Sequence, residues 1–233
     1  IALTKVDEDY PDNKLSGAVF EVYSDINGDG KLDKDDTLLG EMKELDGGVY
    51  QMSELRYGKY LVKETKAPTG FVLDENVYTI SIEENGKIYT VENKAGMGFI
   101  NAAQKGSLKI VKTSSDGKVE GFSFRVTGVD YDQTFKTDKN GEIVIEGLRI
   151  GDYTVSEVSD KASAGYILPA DKQATVKVDA TTIVQMHNEF RDTPKTGDDF
   201  NLGLWVSLAA LSVVGAGVLG FVGYKNRKKK KED

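Results

Sequence analysis

Hydrophobic and polar residues alternate along much of the first 190 residues, which is the pattern of β-strands that bury one face. Examples are the runs that begin at Tyr50 and at Ser107. Asn-Gly and Asp-Gly pairs, which tight β-turns favour, separate such runs at 85–86, 116–117 and 140–141. No segment before residue 202 keeps a helical period of about 3.6 residues. The pattern therefore predicts an all-β fold for this part of the chain.

One block of sequence occurs twice. Residues 54–71 and 146–166 share a Leu-Arg-x-Gly-x-Tyr start, a Val two residues later, a Glu two residues after that, and a Gly-aromatic pair. Such a repeat predicts two copies of one domain of roughly 85–105 residues. We expect two tandem antiparallel Ig-like β-sandwiches, at 1–101 and 106–190, joined by a linker at 102–105.

The pattern changes after residue 201. Residues 202–224 contain no charged side chain. At about 1.5 Å per helical residue, they can cross a hydrocarbon layer of about 30 Å. The basic tail at 225–233 favours a cytoplasmic C-terminus. The sequence thus predicts a single C-terminal transmembrane helix over 202–224, with everything before it outside the cell.

Charge and composition limit what the external part can do. Without the tail the chain has 24 basic and 36 acidic side chains, a net charge of −12, which argues against nucleic acid as a partner. Cysteine is absent, so no disulfide can stabilise the fold. With His187 as the only histidine, catalysis by a Cys or His nucleophile system is nearly excluded.

Alternation along the strands places charged and amide side chains on core faces. In each copy a lysine shares a strand face with leucine or isoleucine, and a glutamate shares one with tyrosine and valine. Near the end of each copy, an asparagine shares a strand face with the apolar residue two positions before it. These residues are Lys5, Lys112, Glu64, Glu157, Asn101 and Asn188. Burying an ionised group costs several kcal/mol unless it is paired. Because both copies carry this free-energy cost, we expect the buried residues to have a function.

Three motifs carry a resemblance to a known family. They are Thr-Lys-Val-Asp at 4–7, Leu-Ser-Gly-Ala-Val-Phe-Glu-Val-Tyr at 15–23, and Tyr-Leu-Val-Lys-Glu-Thr-Lys-Ala-Pro-Thr-Gly-Phe at 60–71. They resemble the SpaA or Cna B-type (prealbumin-like) domains of Gram-positive pilins and adhesins, over nearly all of residues 1–190. The resemblance implies a spontaneous isopeptide bond between a first-strand Lys and a last-strand Asn, with a carboxylic acid shuttling protons. The chain would then be no enzyme beyond this single-turnover reaction.

The second copy offers one set of residues for this bond, with Lys112 as nucleophile, Asn188 as electrophile and Glu157 as the proton shuttle. The alternative in each copy is a buried salt bridge with a hydrogen-bonded Asn and no covalent bond. Burial fits the chemistry, because it lowers the pKa of Lys toward the neutral amine and raises that of Glu.

The first copy supplies Lys5 and Glu64 but two candidate asparagines. The separation from Phe71 to Asn93 equals that from Tyr166 to Asn188, which favours Asn93. Asn101 instead lies just before the linker, where the last strand of the family usually ends. We favour Asn101, and Asn93 stays open.

The segment before the apolar run resembles a cell-wall sorting signal. Its usual pentapeptide is Leu-Pro-x-Thr-Gly, which the chain matches at Pro194, Thr196 and Gly197, with Lys195 at the variable position and Thr193 in place of Leu. The resemblance implies that a sortase cleaves between Thr196 and Gly197 and joins the chain covalently to peptidoglycan. The membrane would hold only the precursor.

An acidic segment in the first copy has the spacing of a calcium-binding loop. Gly30 falls at the sharp sixth position, and oxygen ligands fall at loop positions 1, 3, 5, 7, 9 and 12. These ligands are Asp25, Asn27, Asp29, the Lys31 carbonyl, Asp33 and Asp36. No cofactor is required by the other motifs, and calcium is expected here, with an acidic solvated turn as the alternative.

The expected function follows from location and motifs. An external protein needs a signal peptide, and none precedes Ile1, so we expect a C-terminal part of a longer precursor on the cell wall of a Gram-positive bacterium. The β domains would form a stalk that displays an upstream adhesive region for a host or extracellular ligand. Alternatives are the C-terminal part of a minor or basal pilin, and the stalk of a surface-displayed enzyme.

Overall fold

A computed structural model describes residues 1–191, and within this range it contains β-strands and no α-helix. The strands are β1 (Ala2–Asp7), β2 (Val19–Ser24), β3 (Thr37–Glu41), β4 (Lys43–Leu45), β5 (Val49–Gln51), β6 (Gly58–Lys66), β7 (Val77–Ile82), β8 (Phe99–Asn101), β9 (Lys105–Ser114), β10 (Ser123–Gly128), β11 (Tyr131–Lys136), β12 (Glu142–Arg149), β13 (Gly151–Val158), β14 (Tyr166–Ile167), β15 (Lys172–Val176) and β16 (Thr181–Phe190). The predicted all-β class is confirmed for these residues.

The strands form two sandwiches of two four-stranded sheets each. In the first sandwich the strand orders are β4-β5-β1-β8 and β3-β2-β6-β7, and in the second they are β12-β9-β16-β14 and β11-β10-β13-β15. Strands β1, β2, β6 and β8 of the first sandwich therefore correspond to β9, β10, β13 and β16 of the second. This agreement reflects the sequence repeat.

The prediction of purely antiparallel sheets is wrong at one pair of strands in each sandwich. β1 and β8 run parallel, and so do β9 and β16, whereas the other named strand pairs are antiparallel. A parallel pair needs a long connection rather than a tight turn. Here that connection is the rest of the domain, because the pair joins the first strand to the last.

Each sandwich encloses its own core of aromatic and branched side chains. In the first, Phe20 packs edge-to-face against Tyr50 and Phe99, with ring centroids 5.2 and 4.9 Å apart. In the second, Phe122 packs in the same way against Tyr166. Edge-to-face contacts suit the quadrupoles of aromatic rings. These cores bury the inner faces of the strands that carry the candidate site residues.

The segment between the sandwiches is held by backbone hydrogen bonds on both sides. The Val72 N–H donates to the Ala102 carbonyl at 2.9 Å, and the Gln104 N–H donates to the Gly70 carbonyl at 2.8 Å. On the other side, the Ile150 N–H donates to the Gln104 carbonyl at 3.1 Å. The predicted linker is therefore attached to both sandwiches, and β9 begins at its last residue.

Three features predicted from the sequence lie outside the described residues. They are the sorting motif at 193–197, the transmembrane helix at 202–224 and the basic tail at 225–233. In residues 1–191, no helix has the length and apolar character needed to span a bilayer.

Candidate crosslink sites

The first sandwich brings Lys5, Glu64 and Asn101 together in its core. Lys5 and Glu64 are 0% exposed and Asn101 is 3% exposed. Lys5 lies opposite Phe99 in the parallel ladder, so Asn101, two residues further along β8, shares the inner face with it. Glu64 projects from the facing sheet, where its strand partner is Phe20. The alternation in the sequence thus predicted the inward direction of these three side chains.

Hydrogen bonds connect two of the three side chains directly. The Asn101 Nδ2 group donates to both carboxylate oxygens of Glu64, at 3.0 and 2.9 Å. Glu64 also accepts the backbone N–H of Asp74 at 2.8 Å. The Lys5 ammonium donates to the Phe99 carbonyl at 3.0 Å. Asn101 Oδ1 is buried and has no hydrogen-bond partner among the described residues.

The second sandwich repeats the arrangement at the same register. Lys112 lies opposite Met186 in the β9–β16 ladder, and Asn188 is again two residues further along the last strand. Asn188 Nδ2 donates to Glu157 Oε1 at 2.6 Å. Asn188 Oδ1 and Glu157 Oε2 are buried without a partner among the described residues. The Lys112 ammonium lies 4.2 Å from the centroid of the Phe122 ring.

Burial dominates the electrostatics of both sites. It lowers the pKa of Lys5 to about 8, although the Glu64 and Asp74 carboxylates oppose this change. Burial also lowers the pKa of Lys112. For the carboxyl groups of Glu64 and Glu157 burial acts in the other direction and raises the pKa. In each core, burial therefore shifts the lysine toward the neutral amine and the glutamate toward the protonated acid.

Asn93 occupies a different place from Asn101. Its Nδ2 group donates to Asp74 Oδ2 and to the Ile100 carbonyl, each at 2.8 Å, and its Oδ1 accepts the Ile100 N–H at 2.7 Å. The structure thus brings Asn101, and not Asn93, to Glu64. The equal spacing that favoured Asn93 does not hold in space, because the first copy has a longer segment before its last strand.

The sequence analysis missed Asp74 and Tyr78, which lie beside the first site. The Tyr78 hydroxyl donates to Asp74 Oδ2 at 2.6 Å. Burial alone would raise the pKa of Asp74, but hydrogen bonds from Tyr78, Asn93 and Asn76 outweigh it and lower the pKa. The same burial, together with the Asp74 hydrogen bond, raises the pKa of Tyr78 to about 12. Asp74 lies in a loop, where no strand alternation in the sequence could indicate that it contacts the first site.

The predicted calcium loop lies on the surface of the first sandwich. The Asp25 carboxylate accepts the N–H groups of Gly28 and Gly30, at 2.7 and 3.1 Å, and Asp36 accepts the Asp33 N–H at 2.9 Å. The other predicted ligands are exposed, namely Asn27, Asp29, Lys31 and Asp33. In residues 1–191 no three His, Cys, Asp or Glu side chains are grouped so as to hold a metal ion. Calcium binding stays a prediction.

Comparisons with known proteins agree with the fold. The model of the SpaA prealbumin-like fold domain matches residues 1–95 and 106–190. Among solved structures, the Bacillus anthracis TIE protein is similar at 26% identity with a TM-score of 0.60, over 81% of this chain and 33% of that one. The chain thus spans about a third of the TIE protein.

Two further solved structures are pilus proteins. The minor pilin of Streptococcus agalactiae is 17% identical with a TM-score of 0.37, over 85% of this chain and 99% of that one. The pilus adhesin SpaC of Lactobacillus rhamnosus GG is 15% identical with a TM-score of 0.49, over 80% and 30%. No curated protein matches the chain.

Proposed function

The chain belongs to the family of SpaA prealbumin-like domains, and from this premise we propose that its two sandwiches form a self-crosslinked stalk on the surface of a Gram-positive bacterium. Each sandwich forms one isopeptide bond, between Lys5 and Asn101 in the first and between Lys112 and Asn188 in the second. The stalk transmits tension between the cell wall and an upstream region that binds an extracellular ligand.

One observation carries this proposal. The same Lys, Glu and Asn occur at the same register in two sandwiches, buried in both, with an Asn Oδ1 atom that has no hydrogen-bond partner among residues 1–191. A purely structural salt bridge gives no reason to leave a buried carbonyl oxygen unsatisfied, since this costs about 1–3 kcal/mol. An oxygen that receives a proton during a reaction gives such a reason.

The reaction balances without any added reagent. The neutral Lys Nζ attacks the Asn Cγ while the protonated Glu donates to Oδ1, for which the amide group turns so that Oδ1 faces the carboxyl. A new Cγ–Nζ bond forms and the Cγ–Nδ2 bond breaks. Attack makes Nζ cationic; Glu takes one proton from it and passes it to Nδ2, which leaves as ammonia while the Oδ1 proton returns to Glu. The product is a neutral amide, which the apolar core tolerates better than separate charges.

Intact mass spectrometry of residues 1–191 tests the proposal, since residues 1–190 form a compact unit. Each bond removes one ammonia, about 17 Da, so the unmodified protein should be lighter than its sequence mass by about twice that. Lys5→Ala and Lys112→Ala should each restore one ammonia. Lys109→Ala is the matched control, because Lys109 lies on β9 but pairs with Glu142 at the surface. A folded protein of full sequence mass would contradict the proposal.

Anchoring by a sortase is the second part of the proposal. It is supported by the order of the pentapeptide at 193–197, the apolar run and the basic tail. Incubation of the full chain with a sortase and a peptidoglycan-type amine should yield a product that ends at Thr196. Thr196→Ala should abolish that product, and Thr193→Leu should increase it. Retention of the complete C-terminus by every sortase tried would count against this part.

The alternative, a minor or basal pilin, differs from the stalk in the covalent product that it forms. A pilin would become joined through a lysine or its C-terminal Thr to another protein subunit, whereas the stalk is joined only to the cell wall. Mass analysis of wall-released material separates the two, because the pilin gives covalent high-mass ladders. The Gram-positive pilins among the similar structures make this alternative worth the measurement.

A further inference from the structure

One arginine of the second sandwich, Arg149, binds carboxylates of the first. Arg149 donates two hydrogen bonds to the Asp7 carboxylate, at 2.6 and 2.8 Å, and a third to Asp9 at 3.0 Å. Its guanidinium also lies 4.9 Å from the centre of the Tyr10 ring. The Arg149 side chain is only 15% exposed, and that of Asp7 is 2% exposed. A bidentate, largely buried arginine–carboxylate pair fixes geometry as well as charge.

The repeated motif builds the scaffold that presents this arginine. The Tyr153 hydroxyl donates to the Arg149 carbonyl at 2.9 Å, which holds the turn between β12 and β13. Gly151 in this turn has a φ of 141°, and a Cβ there would lie 2.6 Å from Val129. The Leu-Arg-x-Gly-x-Tyr motif thus encodes a fixed turn with an arginine at its tip.

The first sandwich has the same turn, but the arginine at its tip binds no carboxylate of residues 1–191. Arg56 is the residue equivalent to Arg149, and the Tyr60 hydroxyl donates to its carbonyl at 2.7 Å. Gly58 has a φ of 152°, close to that of Gly151. Yet Arg56 is exposed, and within residues 1–191 its side chain has neither an ion-pair nor a hydrogen-bond partner. The scaffold is kept, but the carboxylates that it would bind are not supplied by the described part of the chain.

An open groove of about 680 Å³ lies beside Arg56, at the end of the first sandwich where β1 begins. Ile1 and Leu55 line it, and Tyr57 and Ile88 at its edge are 67% and 68% exposed. Glu54 and Glu84 lie on the same edge, and Glu84 is paired with Lys87 at 2.7 Å. The surface therefore combines exposed apolar groups with a free guanidinium, as the corresponding surface of the second sandwich would without its neighbour.

We propose that this surface docks another β-sandwich of the same kind, attached ahead of β1, which offers Arg56 two carboxylates at the end of its own first strand. The occupant is specified by the existing joint, in which Asp7 and Asp9 lie at the end of β1 and bind the equivalent arginine. Docking would place Arg56 between those carboxylates and cover Tyr57 and Ile88. The inference does not depend on the crosslinks, since none of these residues takes part in them.

The far end of the second sandwich differs from the end of the first that binds Arg149. Aligning Lys112 with Lys5 places Ser114 at the position of Asp7 and Asp116 at that of Asp9. Asp116 already accepts hydrogen bonds from the Ser114 and Tyr166 hydroxyls, at 2.7 and 2.6 Å. Among residues 1–191, that end offers no free carboxylate pair to an incoming arginine. Sandwiches would therefore be added on the Arg56 side and not on the other.

A three-sandwich fusion tests the docking directly. Residues 1–107 are joined to Ile1 of residues 1–191, because Leu108 aligns with Ile1 when the lysines are superposed. The chain has no cysteine, so one exposed spin-labelled cysteine can be placed in each of two neighbouring sandwiches. Pulsed electron resonance then gives the distribution of distances across the new joint and across the native joint.

We expect narrow distance distributions at both joints. Arg56→Ala should broaden only the new joint, and Arg149→Ala, the matched control, should broaden only the native one. Arg56→Asp combined with Asp7→Arg in the upstream copy should restore a narrow distribution. Cooperative thermal unfolding of each variant confirms that it is folded. A broad distribution at the new joint of the unmodified fusion, or one that Arg56→Ala leaves unchanged, would overturn the proposal.

Discussion

Lys5 and Lys112 are placed where a charged amine is unfavourable and a neutral amine is reactive. Each lies in an apolar core, with a glutamate whose pKa burial raises and an asparagine bonded to that glutamate. The two protonation changes act together, since moving a proton from Lys to Glu removes two buried charges. Burial thus shifts both groups toward the protonation states that the proposed condensation requires.

Removing the carboxyl group should stop the proposed reaction without removing the partners. Glu64→Gln keeps the size of the side chain but cannot shuttle a proton, so we expect the first bond to be absent and the second to form normally. Intact mass should show a loss of about 17 Da instead of twice that. Glu157→Gln should give the same intact mass, but in this variant the second bond should be absent and the first should form. Unchanged double loss in either variant would exclude the carboxyl as the shuttle.

The depressed pKa of Lys5 predicts the pH dependence of a variant that cannot crosslink. In Asn101→Ala the lysine is free, and its pKa of about 8 in the folded state lies below the unfolded value of 10.5. The unfolded state then binds more protons between pH 8 and pH 10, so the stability rises with pH, by about 2 kcal/mol.

Urea denaturation at several pH values measures this slope. The control is the double variant Asn101→Ala with Lys5→Met, in which the rise between pH 8 and pH 10 should vanish. Tyr50 and Tyr78 are present in both variants, so the contribution of their hydroxyls cancels when the two pH profiles are subtracted. A flat or falling profile in the single variant would show that folding does not lower the pKa of Lys5.

Among the elements, the last strand of the first sandwich is short and depends on its neighbours. β8 has three residues, and Asn93 holds its middle residue through two hydrogen bonds to Ile100. Asp74 in turn holds Asn93 and donates its backbone N–H to Glu64. The second sandwich has no such need, because β16 has ten residues in a continuous ladder. Asn93 therefore acts as a positioning residue for Asn101.

Asn93→Ala should slow formation of the first bond and leave the second unaffected. Loss of the two hydrogen bonds to Ile100 leaves partly buried backbone groups unpaired, at no more than about 1–3 kcal/mol each. Mass spectrometry at intervals after refolding should show the first ammonia lost late. Tandem fragmentation should still find Asn101 joined to Lys5. Abolition of the bond with Asn101 left free at all times would assign Asn93 as the partner instead.

The acidic loop between β2 and β3 gives a prediction for the same sandwich. If it binds calcium, a concentration of about 100 times the Kd stabilises the folded state by about 2.7 kcal/mol. Thermal unfolding of Lys5→Ala, in which the crosslink cannot mask the effect, should shift upward with calcium. Asp25→Ala should abolish the shift, and the second sandwich should show none. An equal transition with calcium and with a chelator would show an ordinary acidic turn.

Strand alternation predicted which side chains face the core, because side-chain direction depends only on position within a strand. Lys5, Glu64 and Glu157 could be placed in this way. The parallel pairing of β1 with β8 could not be predicted, because it depends on how the whole domain closes rather than on a local turn. The equal spacing that pointed to Asn93 was misleading for a related reason, since sequence spacing does not measure where a loop inserts residues. Asp74 became visible only through its contacts.

At the scale of the whole molecule, the parallel first and last strands determine how force passes through it. Because β1 and β8 run in the same direction, the chain enters one end of the first sandwich and leaves at the other. The same holds for β9 and β16. Arg149 and the backbone bonds of Gln104 join the two ends into one compact unit. Tension applied to the chain would load the ladders beside Lys5 and Lys112 in shear.

Pulling on residues 1–191 by their ends should therefore show whether the crosslinks carry the load. With both bonds formed, force passes from Lys to Asn directly, and the residues between them cannot extend. Lys5→Ala should release the 95 residues that lie between positions 5 and 101, a step of roughly 300 Å at about 3.3–3.6 Å per residue. Lys112→Ala should release the 75 residues that lie between positions 112 and 188, roughly 250 Å. Single-molecule force spectroscopy measures both steps, with Lys109→Ala as the control that should give neither. Steps of these lengths in the unmodified protein would mean that the sandwiches open under tension and that hydrogen-bonded ladders alone resist it.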